Sequence, residues 1–277
     1  MSRSRSSLVV LGALAAGVGL TTGGGRELLR RQAALARARI GKPLGEEALD
    51  ADKTWKRKAY AEHGEPLQLL VLGDSIAAGL GAERPKDTLG ARLARGLADA
   101  LQRPVRLRTG AVVGSESSAL AGQLDALPAD YRADVAVVIV GGNDVTHRVP
   151  AGTAAAHLED AVVRLRERGV AVVVGTCPDL GALRPVPQPL RSLGSRMSRS
   201  LAAAQAEVAT RNGAYAVSLA HVVGPFFITN PDEMFSLDNF HPSALGYKRT
   251  AKALLPSVLH ALGEAERVPF GHAPPAG

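Results

Sequence analysis

From residue 67 onward, short apolar runs alternate with helical stretches, and this rhythm leaves few architectures open. The runs are Leu67–Leu72, Val105–Leu107, Val135–Val140, Val170–Val174 and Tyr215–Val217. Between and after them, helical patterns cover Leu89–Leu101, Ser117–Leu127, Ala154–Arg168, Leu193–Asn212 and Ser243–Leu262. Aromatic residues are only 4% of the chain, so its apolar mass is mostly Ala, Val and Leu. Such a mix suits parallel strands buried on both faces by Ala-rich helices. Strand–helix–strand repeats at this spacing predict a parallel sheet. With right-handed crossovers, the expected fold is a doubly wound three-layer α/β/α sandwich around a mostly parallel five-stranded sheet. Ligands of such sheets bind at the carboxyl ends of the strands.

Four segments are expected: a hydrophobic N-terminal stretch (1–25), a charged helical linker (26–64), the α/β domain (65–262) and a flexible tail (263–277). In the first, an uncharged run of 18 residues, Leu8–Gly25, follows Arg3 and Arg5. As a helix it reaches about 27 Å, close to the roughly 30 Å of a bilayer core. It reads as a signal peptide or, preferably, an uncleaved anchor, because cleavage after Ala13-Leu14-Ala15 leaves only a stub of apolar core. An exported location in the cell envelope, anchored or secreted, is therefore expected. The orientation stays open: Arg26, Arg30, Arg31, Arg37 and Arg39 outnumber the basic residues before the run, which argues for a cytoplasmic C-terminal side.

The formal charge of +7 raises the question of a nucleic-acid partner. The basic excess is spread out and partly gathered before residue 60, and no stripe interleaves it with aromatics. No nucleic-acid partner is expected; an anionic lipid surface accounts for the basic flank more simply. The single cysteine, Cys177, excludes an intrachain disulfide and a multi-cysteine metal site. No His/Asp/Glu cluster has metal-ligand spacing, so neither a metal nor another cofactor is expected.

Three motifs carry the polar chemistry, and each falls at a strand end or in a late loop. Gly73-Asp74-Ser75 follows Gln68-Leu69-Leu70-Val71-Leu72. A serine at a strand end beside glycine projects its hydroxyl from a tight turn, with its own amide free to bind an oxyanion. Gly141-Gly142-Asn143-Asp144 follows Val135–Val140, and the Asn143 side chain is a second candidate donor. Asp238 and His241 lie three residues apart, just before Pro242-Ser243 and the last helix. That spacing lets a carboxylate reach the imidazole Nδ1 while Nε2 faces a serine. Asp74 and Asp144 are expected to hold their loops by hydrogen bonds. His147 is expected to be an exposed loop residue, and Thr176–Asp179 to shape a pocket. A nucleophile elbow needs Gly-x-Ser-x-Gly, and Ala77 stands where its second glycine belongs.

In this order, Gly-Asp-Ser, a lone Gly, Gly-x-Asn-Asp and Asp-x-x-His, the chain resembles the SGNH hydrolase superfamily of GDSL-like lipases and esterases, over roughly residues 67–262. The resemblance implies a flavodoxin-like sandwich and a serine esterase. Ser75 is then the nucleophile, His241 the base and Asp238 its partner, with Ser75, Gly114 and Asn143 forming the oxyanion hole. Gly110 competes with Gly114 for the second-block position. The substrate class spans small or short-chain esters, lysophospholipids, thioesters and O-acetylated carbohydrates. Without a long apolar surface stretch near the motifs, small or short-chain esters are preferred. The rival of another class is a catalytically silent, membrane-anchored binding module.

Overall fold

The computed structural model describes residues 23–276 except 63. The strands are β1 (Thr54–Trp55), β2 (Leu67–Gly73), β3 (Val105–Thr109), β4 (Val135–Ile139), β5 (Ala171–Gly175), β6 (Tyr215–Val217) and β7 (His272–Ala273). The helices are α1 (23–40), α2 (Ser75–Ala78), α3 (Leu89–Leu101), α4 (Leu120–Asp125), α5 (Gly142–His147) and α6 (Ala151–Glu167). They continue as α7 (Leu190–Arg211), α8 (Leu219–Val222), α9 (Gly224–Thr229), α10 (Pro231–Met234) and α11 (Ala244–Ala261).

The sheet order is β1-β3-β2-β4-β5-β6-β7. The five central strands are parallel, as the apolar runs predict, and the α/β/α class holds. The expected number of five strands is corrected to seven. Two-residue strands β1 and β7 pair antiparallel at the two edges. They come from the segments read as linker and tail. Two residues are too short to show an apolar period, and these two are stabilised by their ladder partners rather than by local preference.

Along each parallel strand, alternate side chains enter opposite layers. Leu69, Val71, Val135, Val137 and Ile139 join one core with α3 and α11. Leu70, Leu72, Ala136, Val138 and Val140 join the other, against α4, α6 and α7. Burial on both faces explains why these strands read as unbroken apolar runs.

The parallel order, second-first-third-fourth-fifth, reverses direction between β2 and β4. A crevice therefore opens beyond their carboxyl ends. Gly-Asp-Ser follows one of these strands and Gly-Gly-Asn-Asp the other. The crevice is where both motifs meet.

The uncharged Leu8–Gly25 run lies, up to residue 22, outside the described residues. Among those described, no helix is long and apolar enough to cross a membrane. Helix α1 lies against the loop before α7. Gln32 donates to the Gln188 carbonyl at 2.5 Å and accepts from the Leu190 amide at 3.0 Å.

Candidate active site

The turn after β2 is tight because Gly73 adopts φ +131°, a region open to glycine. A Cβ there would lie 1.8 Å from the Ile139 carbonyl oxygen, so no side chain fits. Asp74 then caps α2, its carboxylate accepting from the Ile76 amide at 2.9 Å. Burial pushes its carboxyl up to about 6, against the opposing pull of that amide and of the nearby His241. Ser75 takes the first position of α2, where an amide has no acceptor within the helix. Among the described residues nothing accepts from it.

Ser75, His241 and Asp238 lie 166 and three residues apart in sequence yet form one hydrogen-bonded chain. His241 Nδ1 lies 2.5 Å from Asp238 Oδ2, and His241 Nε2 lies 2.9 Å from Ser75 Oγ. An ionised carboxylate only accepts, so Nδ1 carries the proton and Nε2 accepts from the Ser75 hydroxyl. Asp238 is 4% exposed, and its other oxygen accepts from the Phe240 and His241 amides at 3.0 and 2.9 Å. Burial opposes its ionisation. The His241 ring, with the His241 and Phe240 amides, outweighs that and holds the carboxyl below its ordinary value.

The loop carrying the pair is closed at its base, where the Ser236 amide donates to the His241 carbonyl at 2.8 Å. Ser243 then caps α11, accepting from the Leu245 and Gly246 amides. Tyr247, fully buried in α11, donates to the Leu80 carbonyl at 2.6 Å. This bond ties the helix that follows the His241 loop to the segment that follows Ser75.

Asn143 stands at the second strand end, in the first turn of α5, and lines the same cavity as Ser75. Its Nδ2 donates to the Ser115 carbonyl at 2.9 Å, which leaves the second hydrogen of that amide uncommitted. Asp144 accepts from the Ser117 amide and hydroxyl, at 3.0 and 3.1 Å to Oδ2. Asp74 and Asp144 thus do hold loops, as their residue type suggests.

The two second-block glycines differ in what their amides do. Gly110 still belongs to the ladder, donating to the Val71 carbonyl at 2.8 Å. Gly114 lies further out, exposed and at φ +84°, and among the described residues no acceptor meets its amide. Only Gly114 has a donor to spare.

A cavity of about 770 Å³, its open mouth included, begins at Ser75 and Asn143. Much of its lining is apolar, including Leu183, Leu219, Val223, Phe227, Phe235 and Phe240. Phe227 and Phe235 pack edge to face at 4.9 Å, which stiffens one side. Pro178 and Asp179 also line it, so Thr176–Asp179 does shape the pocket. Cys177 beneath is buried and inert; burial, with Asp74 and Asp144 nearby, pushes its thiol up. His147 is exposed at the end of α5 and faces Glu116 at 2.6 Å.

Sequence reasoning missed the apolar wall, because its residues come from separate short helices, α8 and α9, and from loops. It also missed two buried glutamines. Gln123 bonds the Gly73 backbone, and Gln205 joins the Cys177 amide to the Val140 carbonyl. A signal was present: Gln123 shares the helical face of Leu120 and Leu124, and Gln205 that of Leu201 and Val208.

Comparison with known proteins bears on this arrangement. The family described as GDSL-like lipase/acylhydrolase matches residues 71–249. A GDSL-like esterase of Mycobacterium tuberculosis is 38% identical, over 98% of this chain and 88% of its own. The crystal structure of TesA superposes with a TM-score of 0.57 at 24% identity, covering 70% of this chain and 99% of that one. A lipase/acylhydrolase from Enterococcus faecalis gives 0.56 at 19% identity, covering 72% and 97%. The solved structures share the fold, while the family match and the mycobacterial relative extend to the sequence. The chain belongs to the GDSL-like lipase/acylhydrolase family and is a carboxylic ester hydrolase.

Proposed function

We propose that this chain cleaves esters of short aliphatic acids through an acyl-enzyme on Ser75. The observation that carries the reading is the chain Asp238–His241–Ser75, at 2.5 and 2.9 Å, at the mouth of an apolar cavity. Ser75 Oγ attacks the ester carbonyl carbon while its proton passes to His241 Nε2. The oxyanion accepts hydrogen bonds from the Ser75 amide, the Gly114 amide and the Asn143 side chain. When the tetrahedral intermediate collapses, the C–O bond to the alcohol breaks and the alcohol leaves with the Nε2 proton. Water, deprotonated by the same nitrogen, then attacks the acyl-enzyme and releases the acid and the restored serine. Asp238 keeps its charge throughout and stabilises the transient imidazolium.

A fluorophosphonate probe tests the nucleophile directly: wild type is expected to label at Ser75, and labelling at another residue or none overturns the mechanism. Asn143→Ala is expected to lower kcat by about 10²–10³ in a folded protein, the scale for loss of one oxyanion donor. An unchanged kcat in that variant removes Asn143 from the oxyanion hole.

The acyl half of the substrate belongs among Leu183, Leu219, Val223 and the Phe227–Phe235 pair. Each methylene seated there contributes about 0.8 kcal/mol, so kcat/KM should rise roughly fourfold per carbon until the pocket is full. Along a series of p-nitrophenyl esters, the rise is expected to end at a short chain. Best activity on long acyl chains sinks the short-chain preference and leaves the ester chemistry standing.

A further inference from the structure

The parallel ladder between β2 and β3 runs only as far as Val71 opposite Thr109. Beyond Gly110 the chain turns away into the loop that carries Gly114 and Ser115, keeping one backbone bond to the serine turn, from the Val112 amide to the Gly73 carbonyl at 3.2 Å. Gly73, two residues before Ser75, thereby loses the strand that would have met its amide on that side. A buried amide without an acceptor is unfavourable, so something must replace the strand.

Gln123 of α4 replaces it. Its Oε1 accepts from the Gly73 amide at 2.9 Å, and its Nε2 donates to the Gly73 carbonyl at 2.7 Å. The same Nε2 donates to Ser115 Oγ at 3.3 Å. Ser115 in turn accepts from Asn143 Nδ2 through its carbonyl. One side chain, 6% exposed, therefore links the serine turn, the Gly114 loop and Asn143. These are the three places from which the oxyanion donors come.

We infer that Gln123 is a positioning residue that sets the spacing of the three oxyanion donors while touching no substrate atom. The inference rests on the acyl-transfer reading above. Fixed donors stabilise a transition state because they need not reorganise as charge develops. Without Gln123, the Gly73 amide is left without an acceptor and the Val112 amide alone joins the Gly114 loop to the Gly73 carbonyl, so the turn and the loop drift relative to each other. Neither Gln123 nor Ser115 lines the apolar pocket, so ground-state binding there should not change.

The test compares wild type with Gln123→Leu and Ser115→Ala. Ser115→Ala cuts only the side-chain branch and leaves the carbonyl bond to Asn143. Active sites are counted by complete fluorophosphonate titration, and kcat and KM are then measured on a p-nitrophenyl ester. The affinity of an alkyl boronic acid, whose adduct on Ser75 is tetrahedral, is measured alongside. Gln123→Leu is expected to lower kcat per titrated site by about 10–100-fold, the scale of an ångström-size misplacement. The boronic acid should weaken by a comparable factor while KM stays within about twofold. Ser115→Ala should move the same two quantities in the same direction, by less. Unchanged kcat and boronic acid affinity per titrated site overturn the inference, as does a kcat loss with unchanged boronic acid affinity. If Gln123→Leu does not fold, Ser115→Ala decides alone by the same criteria. A wild type that does not label at Ser75 breaks the acyl-enzyme reading itself, which separates the two failures.

Discussion

Ser75→Ala is expected to lower kcat by on the order of 10⁶, the scale seen when either member of a nucleophile–base pair is removed. The size of the loss follows from what remains. The oxyanion donors and the apolar pocket still bind the ester, but no group is left to form the covalent intermediate. KM should change little. The substitution removes one oxygen from a residue that is 6% exposed and leaves the Asp74 cap of α2 intact, so thermal stability should stay near wild type. Ester turnover by the purified variant, with its melting temperature and fluorophosphonate labelling, checks this. A folded Ser75→Ala protein retaining a tenth of wild-type kcat would show that another group is the nucleophile.

Asp238→Asn should cost about 10⁴ in kcat, although the new side chain is nearly the same shape. The carboxylate only accepts, which obliges His241 to carry its proton on Nδ1. An amide can present NH₂ to Nδ1 instead. The proton then moves to Nε2, which can no longer take one from Ser75. The Asn oxygen still accepts from the Phe240 and His241 amides, so the loop should keep its conformation. The rate of fluorophosphonate labelling should fall together with kcat, because both begin with the same proton transfer. A kcat within about tenfold of wild type would mean that Asp238 acts on the loop alone. The carboxylate also leaves a mark on stability. Its folded pKa lies below the unfolded one, so its stabilisation is present above the unfolded value and lost as pH falls through the folded value. Asp238→Asn should flatten that part of the acid unfolding profile.

Much of the frame was legible without coordinates. The five apolar runs became the five parallel strands, and the stretch Leu89–Leu101 became α3 with the same limits. Continuous burial leaves its clearest trace in β4, buried at every position, whereas β3 keeps only Val105 and Leu107 inside. The edge strands left none: β1 and β7 have two residues each, and their side chains are only partly buried. Ser75, Asn143, Asp238 and His241 were also legible, since their chemistry demands those residue types at strand ends and in a capped loop. Which of Gly110 and Gly114 keeps an unbonded amide was not. It turns on which amide the ladder has already used, and this is a property of where β3 leaves the sheet.

The apolar pocket belongs to the same class. Leu183, Leu219, Val223 and Phe227 come from a loop, two short helices and the turn between those helices, and no period in the chain connects them. Gln123 gave a faint sign as a polar residue on an apolar helix face. Its partners at Gly73 and Ser115 lie 50 and eight residues away, and only the fold identifies them.

By itself, then, the sequence determined the layered α/β frame and the reactive residue types, because periodic burial and side-chain chemistry are written locally. Only the tertiary structure decided the spacing of Ser75 from His241, the spare amide at Gly114, the shape of the apolar pocket and the hydrogen bonds of Gln123. Each of these depends on a hydrogen bond or a packing contact between distant segments, and such contacts exist only after the chain has closed upon itself.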